Sequence, residues 1–407
     1  MSGEATTARR VLVIAGVVVI AANLRTAISA IGPVLDPIRG DVGLSAGAAG
    51  FIVGTLPLLT FGAVSPLVVP LTRRLGTDRA LWLGLAVLLA GVVLRSLPVT
   101  ALLWAGTILL AAGVAVGNVL LPSVITRDFP DRIGQMTGVY AATAGIAAAL
   151  ASGVTVPLAD VLPGGWRSAL GVWAGLVLVA LGVWAPRAAR RREPSGGETP
   201  RTDSAAAPVT GLSPWRSPLA WEVAAFMALA SAGFYTVITW YPTILKDLGT
   251  GEASAGWLLS LYQLLGVVMN VAVPLLIRRM ADQRTIAAGA SAILVVGYAG
   301  LVLWPGLAWL WVTVTGLGAG AAFLLALTFF SLRAADERSA ASLAGMGQAI
   351  AYLFAATWPL LFGVLYDTTG GWTLPLWTLA ALAAAQTIVS ARAGRDARFR
   401  ATPDPAS

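Results

Sequence analysis

The chain has 407 residues, of which 57% are hydrophobic and 11% charged, and its mean hydropathy is +0.80. A soluble domain carries roughly 25% charged residues, so this chain has too little charge to cover a surface facing water. It contains no histidine and no cysteine, which excludes a zinc site, a haem held by His or Cys, a cysteine nucleophile, a Ser-His-Asp triad and any disulfide.

Residues 1–10 read as a short polar N-terminal segment. The first apolar stretch, 11–36, is followed by no small-residue cleavage site and reads as a retained membrane span, not a signal peptide. Further stretches follow at 46–70, 80–98, 101–125, 133–158 and 168–186, then at 218–244, 254–277, 285–304, 307–332, 340–365 and 372–391. Each is near the ~20 apolar residues that cross a bilayer as a helix. The predicted fold is an all-α membrane protein with twelve transmembrane helices in two six-helix halves, 11–186 and 218–391. Residues 187–217, rich in Arg, Pro, Gly and Ser, read as a flexible linker between the halves. Residues 392–407 form the C-terminal segment.

The net charge of +8 would suit nucleic acid, but the basic residues lie between apolar runs. That pattern points to topology and to the lipid bilayer as partner, with no nucleic acid. With the N-terminus inside, nearly all Arg residues outside the spans are cytoplasmic. Only Arg39, Arg95, Arg167 and Lys246 fall on the other side. The bias predicts a multi-pass protein of the plasma (inner) membrane with both termini cytoplasmic. Trp82, Trp104, Trp166, Trp184, Trp304 and Trp309 lie near span ends and read as interface anchors.

The halves match each other at a shift of about 206. Ala49-Gly50-Phe51 meets Ala255-Gly256-Trp257, Arg127 meets Arg333, Asp131 meets Glu337, Arg132 meets Arg338, and Gly164-Gly165-Trp166 meets Gly370-Gly371-Trp372. Arg73-Arg74 meets Arg278-Arg279 one residue out of register. Parallel repeats of six helices build one large class of secondary transporters. Their solute site lies near the midplane between the halves, and access alternates by rocking one half against the other.

Arg25 stands near the middle of the first span, where burying a guanidinium costs from about 2.5 to more than 10 kcal/mol unless it faces the bundle interior and finds partners. No carboxylate falls at that depth. Asp36 is eleven residues further along the same span, and Glu222 is near the start of the seventh. Two readings follow: an anionic or strongly polar solute neutralises Arg25, or Arg25 donates to backbone carbonyls and buried amides and braces the bundle. Asn23, Asn118, Tyr140, Tyr235, Trp240, Gln263, Asn270, Gln348 and Tyr352 fall in the inner parts of spans and are candidates to line a solute cavity. Ordinary packing or helix–helix hydrogen bonding would account for the same residues. Asp36 and Glu222 are the candidates for carrying a coupled proton.

A charged cluster of Arg127, Asp128, Asp131 and Arg132 follows span four, and Arg333, Asp336, Glu337 and Arg338 occupy the repeat position after span ten. With Arg73 and Arg74 they make a candidate cytoplasmic gate, the alternative being solvated loops that hold topology. No metal ligand set or nucleophile–base pair occurs in the spans, so neither an enzyme nor a bound cofactor is expected.

Asn23-Leu24-Arg25-Thr26 followed by Ile31-Gly32-Pro33 resembles the first span of the bacterial cyanate transporter family. That family lies within the major facilitator superfamily and also includes 2-nitroimidazole exporters. Leu121-Pro122-Ser123-Val124-Ile125 before Arg127 is similar to the family's span-four ending. Gly345 to Leu365, with Gln348, Pro359 and Gly363-Val364-Leu365, is similar to its span eleven. The resemblance implies a monomeric secondary transporter for a small polar or anionic solute such as cyanate, with nitroimidazole-like small drugs as the alternative. The superfamily's loop motif between spans two and three, Gly-x-x-x-Asp-Arg-x-Gly-Arg-Arg, is kept only in its later part, and Arg73 stands where its Asp belongs. The span-five antiporter motif and the span-four Arg of drug–proton exporters are missing, as are the mid-span arginines of nitrate carriers in spans two and eight.

Overall fold

The computed structural model describes residues 2–189, 213–278, 280 and 282–399; the side chains of 2–10, 337 and 338 also lie outside the description. Among the described residues, twelve helices are long and apolar enough to cross a membrane: Val11–Val42, Ala46–Leu75, Thr77–Arg95, Thr100–Asp128, Pro130–Val161, Trp166–Ala189, Pro218–Asp247, Glu252–Ile277, Arg284–Leu303, Pro305–Leu332, Ser339–Thr369 and Thr373–Ala393. They are called spans one to twelve below, and each overlaps one stretch expected from the sequence. Helices satisfy their backbone groups internally, as hydrocarbon demands. Among the described residues the only strand-like pairing is a bridge between Ala334 and Phe399.

The spans bend where the sequence cannot continue the hydrogen-bond ladder. Span one tightens into a single turn at Gly32–Val34, because Pro33 has no N–H to give. The hydroxyl of Ser152 donates to the Ser29 carbonyl at 3.2 Å, and Arg95 Nη1 donates to the Ala27 carbonyl at 3.0 Å. Span two widens into a π-helical turn at Phe51–Thr55, just ahead of Pro57. Gly43 ends span one at φ +70°, a left-handed conformation that glycine adopts without steric penalty.

The chain forms two compact units. Unit one comprises Met1–Gly43, Leu56–Pro200 and Glu252–Ser260; unit two comprises Leu44–Thr55, Arg201–Gly251 and Leu261–Ser407. The units therefore differ from the two sequence halves in two segments: the start of span two belongs to unit two, and the start of span eight to unit one.

Inside unit one, glycines bring helices together. Any side chain on Gly106 would run into the backbone of Arg95 and Gly91, and Gly84 sits under Val116. Leu24 of span one rests on Gly117 of span four, and Trp184 lies over Gly16. Trp184 is fully buried and Trp166 6% exposed, so neither is an interface anchor, whereas Trp304 and Trp309 are 60% exposed. The start of span eight packs against span five, with Trp257 over Gly153 and Gly256 against the Ser152 carbonyl.

Unit two is built on Phe226 and Phe329, whose rings lie 5.6 Å apart, together with Val223, Met227, Leu325, Leu343 and Met346. A second aromatic group joins Trp240, Phe362, Tyr366 and Trp372.

Candidate solute-binding residues and charged clusters

In unit one, Arg25 is half-buried on span one and is not without a partner. Leu24 on Gly117 sets the register of spans one and four, so Arg25 and Asn118 stand at the same level. Asn118 is exposed, and its side-chain oxygen accepts from the Tyr140 hydroxyl at 3.4 Å. These two candidates, far apart in sequence, are brought together. Asn23 is 2% exposed and gives its amide to the carbonyls of Val19, at 2.8 Å, and Leu176, at 3.1 Å, tying span one to span six. Its donors are spent on backbone.

In unit two, Trp240 is fully buried and donates its indole N–H to the Pro359 carbonyl at 3.0 Å. Tyr235, Gln348 and Tyr352 are half-buried, Gln263 is 8% exposed and Asn270 is exposed. The Tyr235 ring meets Phe234 edge-on at 5.4 Å.

Sequence reasoning passed over a buried phenol group beside these residues. Tyr241, Tyr262 and Tyr298 are each at most 2% exposed. The rings of Tyr241 and Tyr262 are 5.7 Å apart, and the Tyr241 hydroxyl donates to Thr315 Oγ1 at 3.0 Å. Nothing in the apolar runs marks these tyrosines, because their distinction is burial. A cavity of about 10 Å³ beside Tyr298, Phe234 and Gln386 has room for about one water. It is too small for a solute ring.

The charged candidates divide by unit. Arg127 donates to Asp78 through Nη1 at 3.2 Å and Nη2 at 3.0 Å, and to Asp128 through Nε at 3.0 Å. Arg187 completes the square, reaching Asp78 at 3.1 Å and Asp128 at 2.7 Å, with its guanidinium 4.8 Å above the Trp184 ring. Asp131, Arg132, Arg73 and Arg74 are exposed.

At the repeat position in unit two, Arg333 is 3% exposed. It donates to the carbonyls of Ala393 and Gly394, each at 2.8 Å, and to the Gln283 side chain. The two clusters are equivalent: Arg127 corresponds to Arg333, and Asp78 to Gln283 at the shift of 205. The charged acceptor of unit one is a neutral amide in unit two. Burial holds the Arg333 guanidinium below the ordinary arginine value, with Asp396 and Asp282 opposing that shift. Asp336 accepts from the backbone N–H of Ser339 at 2.8 Å and caps the helix of span eleven. The side chains of Glu337 and Arg338 lie outside the described residues.

Both proton-carrier candidates are ion-paired. Asp36 meets Arg39 at 3.4 Å and Glu222 meets Arg395 at 3.1 Å. Arg95, counted from the sequence among the basic residues on the outer side, is buried in the helix packing. It ends the helix of span three and is 2% exposed. Its Nε and Nη2 have no hydrogen-bond partner among the described residues.

The chain is 41% identical over 392 residues to the 2-nitroimidazole transporter of Escherichia coli, covering 96% of this chain and 97% of that one. It is 42% identical to the uncharacterized transporter YycB of Bacillus subtilis, over 94% and 93% of the two chains. Identity to the cyanate transport protein CynX of Escherichia coli is 26%, over 90% and 92%. Among solved structures, a bacterial homolog of the human lysosomal transporter Spinster in its inward-facing, occupied conformation superposes with a TM-score of 0.75 at 15% identity, covering 95% of each chain. The model of the Major Facilitator Superfamily matches residues 17–356. With twelve helices able to cross a membrane among the described residues and this match over most of its length, the chain belongs to the Major Facilitator Superfamily and is a multi-pass membrane transporter, not an enzyme.

Proposed function

We propose that the chain is a secondary transporter that moves a small planar polar solute of the 2-nitroimidazole kind by alternating access between its halves. The observation that carries the substrate class is the gap between relatives: 41% identity to the 2-nitroimidazole transporter over 96% of the chain, against 26% to the cyanate transport protein. The groups named above suit such a solute. Within unit one, Arg25 offers N–H donors to nitro oxygens, and the Asn118–Tyr140 pair offers an amide and a phenol. The positive-inside bias supports both termini lying in the cytoplasm and residence in the inner membrane. The monomer is the proposed working unit.

A small anion such as cyanate is the second reading. It is favoured by one observation, a guanidinium in the middle of span one with no Asp or Glu at its depth in the sequence.

The test is a thermal-shift titration of purified protein with 2-nitroimidazole, metronidazole, cyanate, nitrate, formate and bicarbonate, with Arg25→Gln alongside. A ligand that binds only the folded state raises the melting temperature by mass action. A shift from the azoles supports the first reading. A shift from small anions alone, lost in Arg25→Gln, replaces it with the second.

A further inference from the structure

Span two is shared between the two units: Leu44–Thr55 lies in unit two and the remainder, from Leu56, in unit one. Its first turn exposes backbone N–H groups that have no partner within the helix. Ser45 serves one of them, accepting from Ala48 at 3.2 Å. Two more are served by a carboxylate distant in sequence: Asp367, near the end of span eleven, accepts from Ala46 N at 3.0 Å and from Gly47 N at 2.8 Å. A negative group at the positive end of a helix gains from both hydrogen bonding and the helix dipole.

The seat behind this cap is close-fitting. Gly47 stands against Val364, Gly50 and Gly54 against Pro359, and Gly363 against the backbone of Ala46. The Thr55 hydroxyl donates to the Ala356 carbonyl, and the Trp240 indole N–H donates to the Pro359 carbonyl beside Gly50. Span two leaves the seat through the π-helical turn Phe51–Thr55, followed at once by Pro57. Asp367 itself is exposed, so water can take over its hydrogen bonds when the seat empties. At the other end of the span, Arg73 stands where the superfamily's loop motif carries its Asp.

We propose that Asp367 is a conformational latch: its carboxylate holds the first turn of span two on span eleven in one access state and releases it in the other, with the π-helical turn and Pro57 as the flexure. The proposal rests on the alternating-access reading above. The charged hold on span two then sits at its first turn, at the opposite end from the usual loop-motif carboxylate.

The chain has no cysteine, so a single reporter thiol is unambiguous. Val53→Cys places one in the π-helical turn behind the cap, between Gly50 and Gly54, at a position 6% exposed. Its labelling rate with a membrane-impermeant maleimide is followed in proteoliposomes. Asp367→Ala should raise that rate by about two- to thirtyfold, the range expected for losing a helix cap, and Asp367→Asn, which keeps an acceptor oxygen without the charge, by less. An oxidised Gly47→Cys/Val364→Cys pair, added to the Asp367→Ala background, should bring the rate down again and show that labelling reports departure of span two from span eleven. Should Asp367→Ala fail to purify as a single species, Asp367→Asn carries the comparison. Equal, measurable labelling with and without the carboxylate overturns the latch and leaves alternating access standing. No labelling in any background overturns the latch and counts against alternating access as well.

Discussion

Asn23 and Arg25 lie two residues apart on one helix and have different fates. Asn23 is buried and spends its amide on two carbonyls, one from span six; Arg25 is half-buried at the level of the Asn118–Tyr140 pair. Asn23→Ala should therefore lower stability by about 1 kcal/mol, the usual worth of an interhelical hydrogen bond in a membrane protein, with no change in the ligand-induced thermal shift. A loss of the ligand response in Asn23→Ala would move Asn23 into the binding site. Arg95 presents the opposite case. It is a buried guanidinium with one hydrogen bond and two idle nitrogens. Replacing a buried charge with an apolar side chain of similar length is often neutral or stabilising, by about 1–4 kcal/mol. Arg95→Met should leave the melting temperature unchanged or raise it; a clear fall would mean that the charge is paired in the membrane-embedded protein.

At the scale of the helix, the glycines separate into those that touch and those that do not. Gly106 lets span four lie directly on span three, and a methyl group there meets the backbone of Arg95 and Gly91. Gly106→Ala should cost about 1–3 kcal/mol through overpacking. Gly138, inside the helix Ile133–Val161, has open space around it. Gly138→Ala should gain up to about 1 kcal/mol from helix propensity alone. Melting temperatures of the two variants check both signs in one experiment. The sequence shows the two glycines as equivalents in apolar runs, and only the facing backbone distinguishes them.

Across the whole molecule the repeat is built twice with different chemistry. Unit one ties spans three, four and six together at one end through Asp78, Arg127, Asp128 and Arg187. Unit two does the same with a buried arginine, a glutamine and backbone carbonyls. The four-membered ion network is partly open to water, with side-chain exposures from 14% to 37%, so salt screens it. Asp78→Asn should lower the melting temperature at low salt, and the difference should shrink at molar salt. Arg333→Lys, whose hydrogen-bond acceptors are neutral, should show a loss that salt alters less than that of Asp78→Asn.

Much of this was legible in the residues. Span count and the membrane setting follow from apolar length and composition, because lipid imposes a one-dimensional rule on composition. Arg25 was visible for the same reason: charge inside an apolar run is costly. The partners were not visible. That Asp78 rather than a residue across the repeat receives Arg127, that Arg95 lies buried, and that Asp367 caps a helix 320 residues away depend on which faces of packed helices meet. Apolar runs have no strong periodicity to announce those faces, since a helix surrounded by lipid and other helices is hydrophobic all round. Composition and charge determined the architecture and its setting. Side-chain partnership, and with it the division of span two between the units, was decided by tertiary packing, where glycine contacts and hydrogen-bond geometry select one neighbour among many.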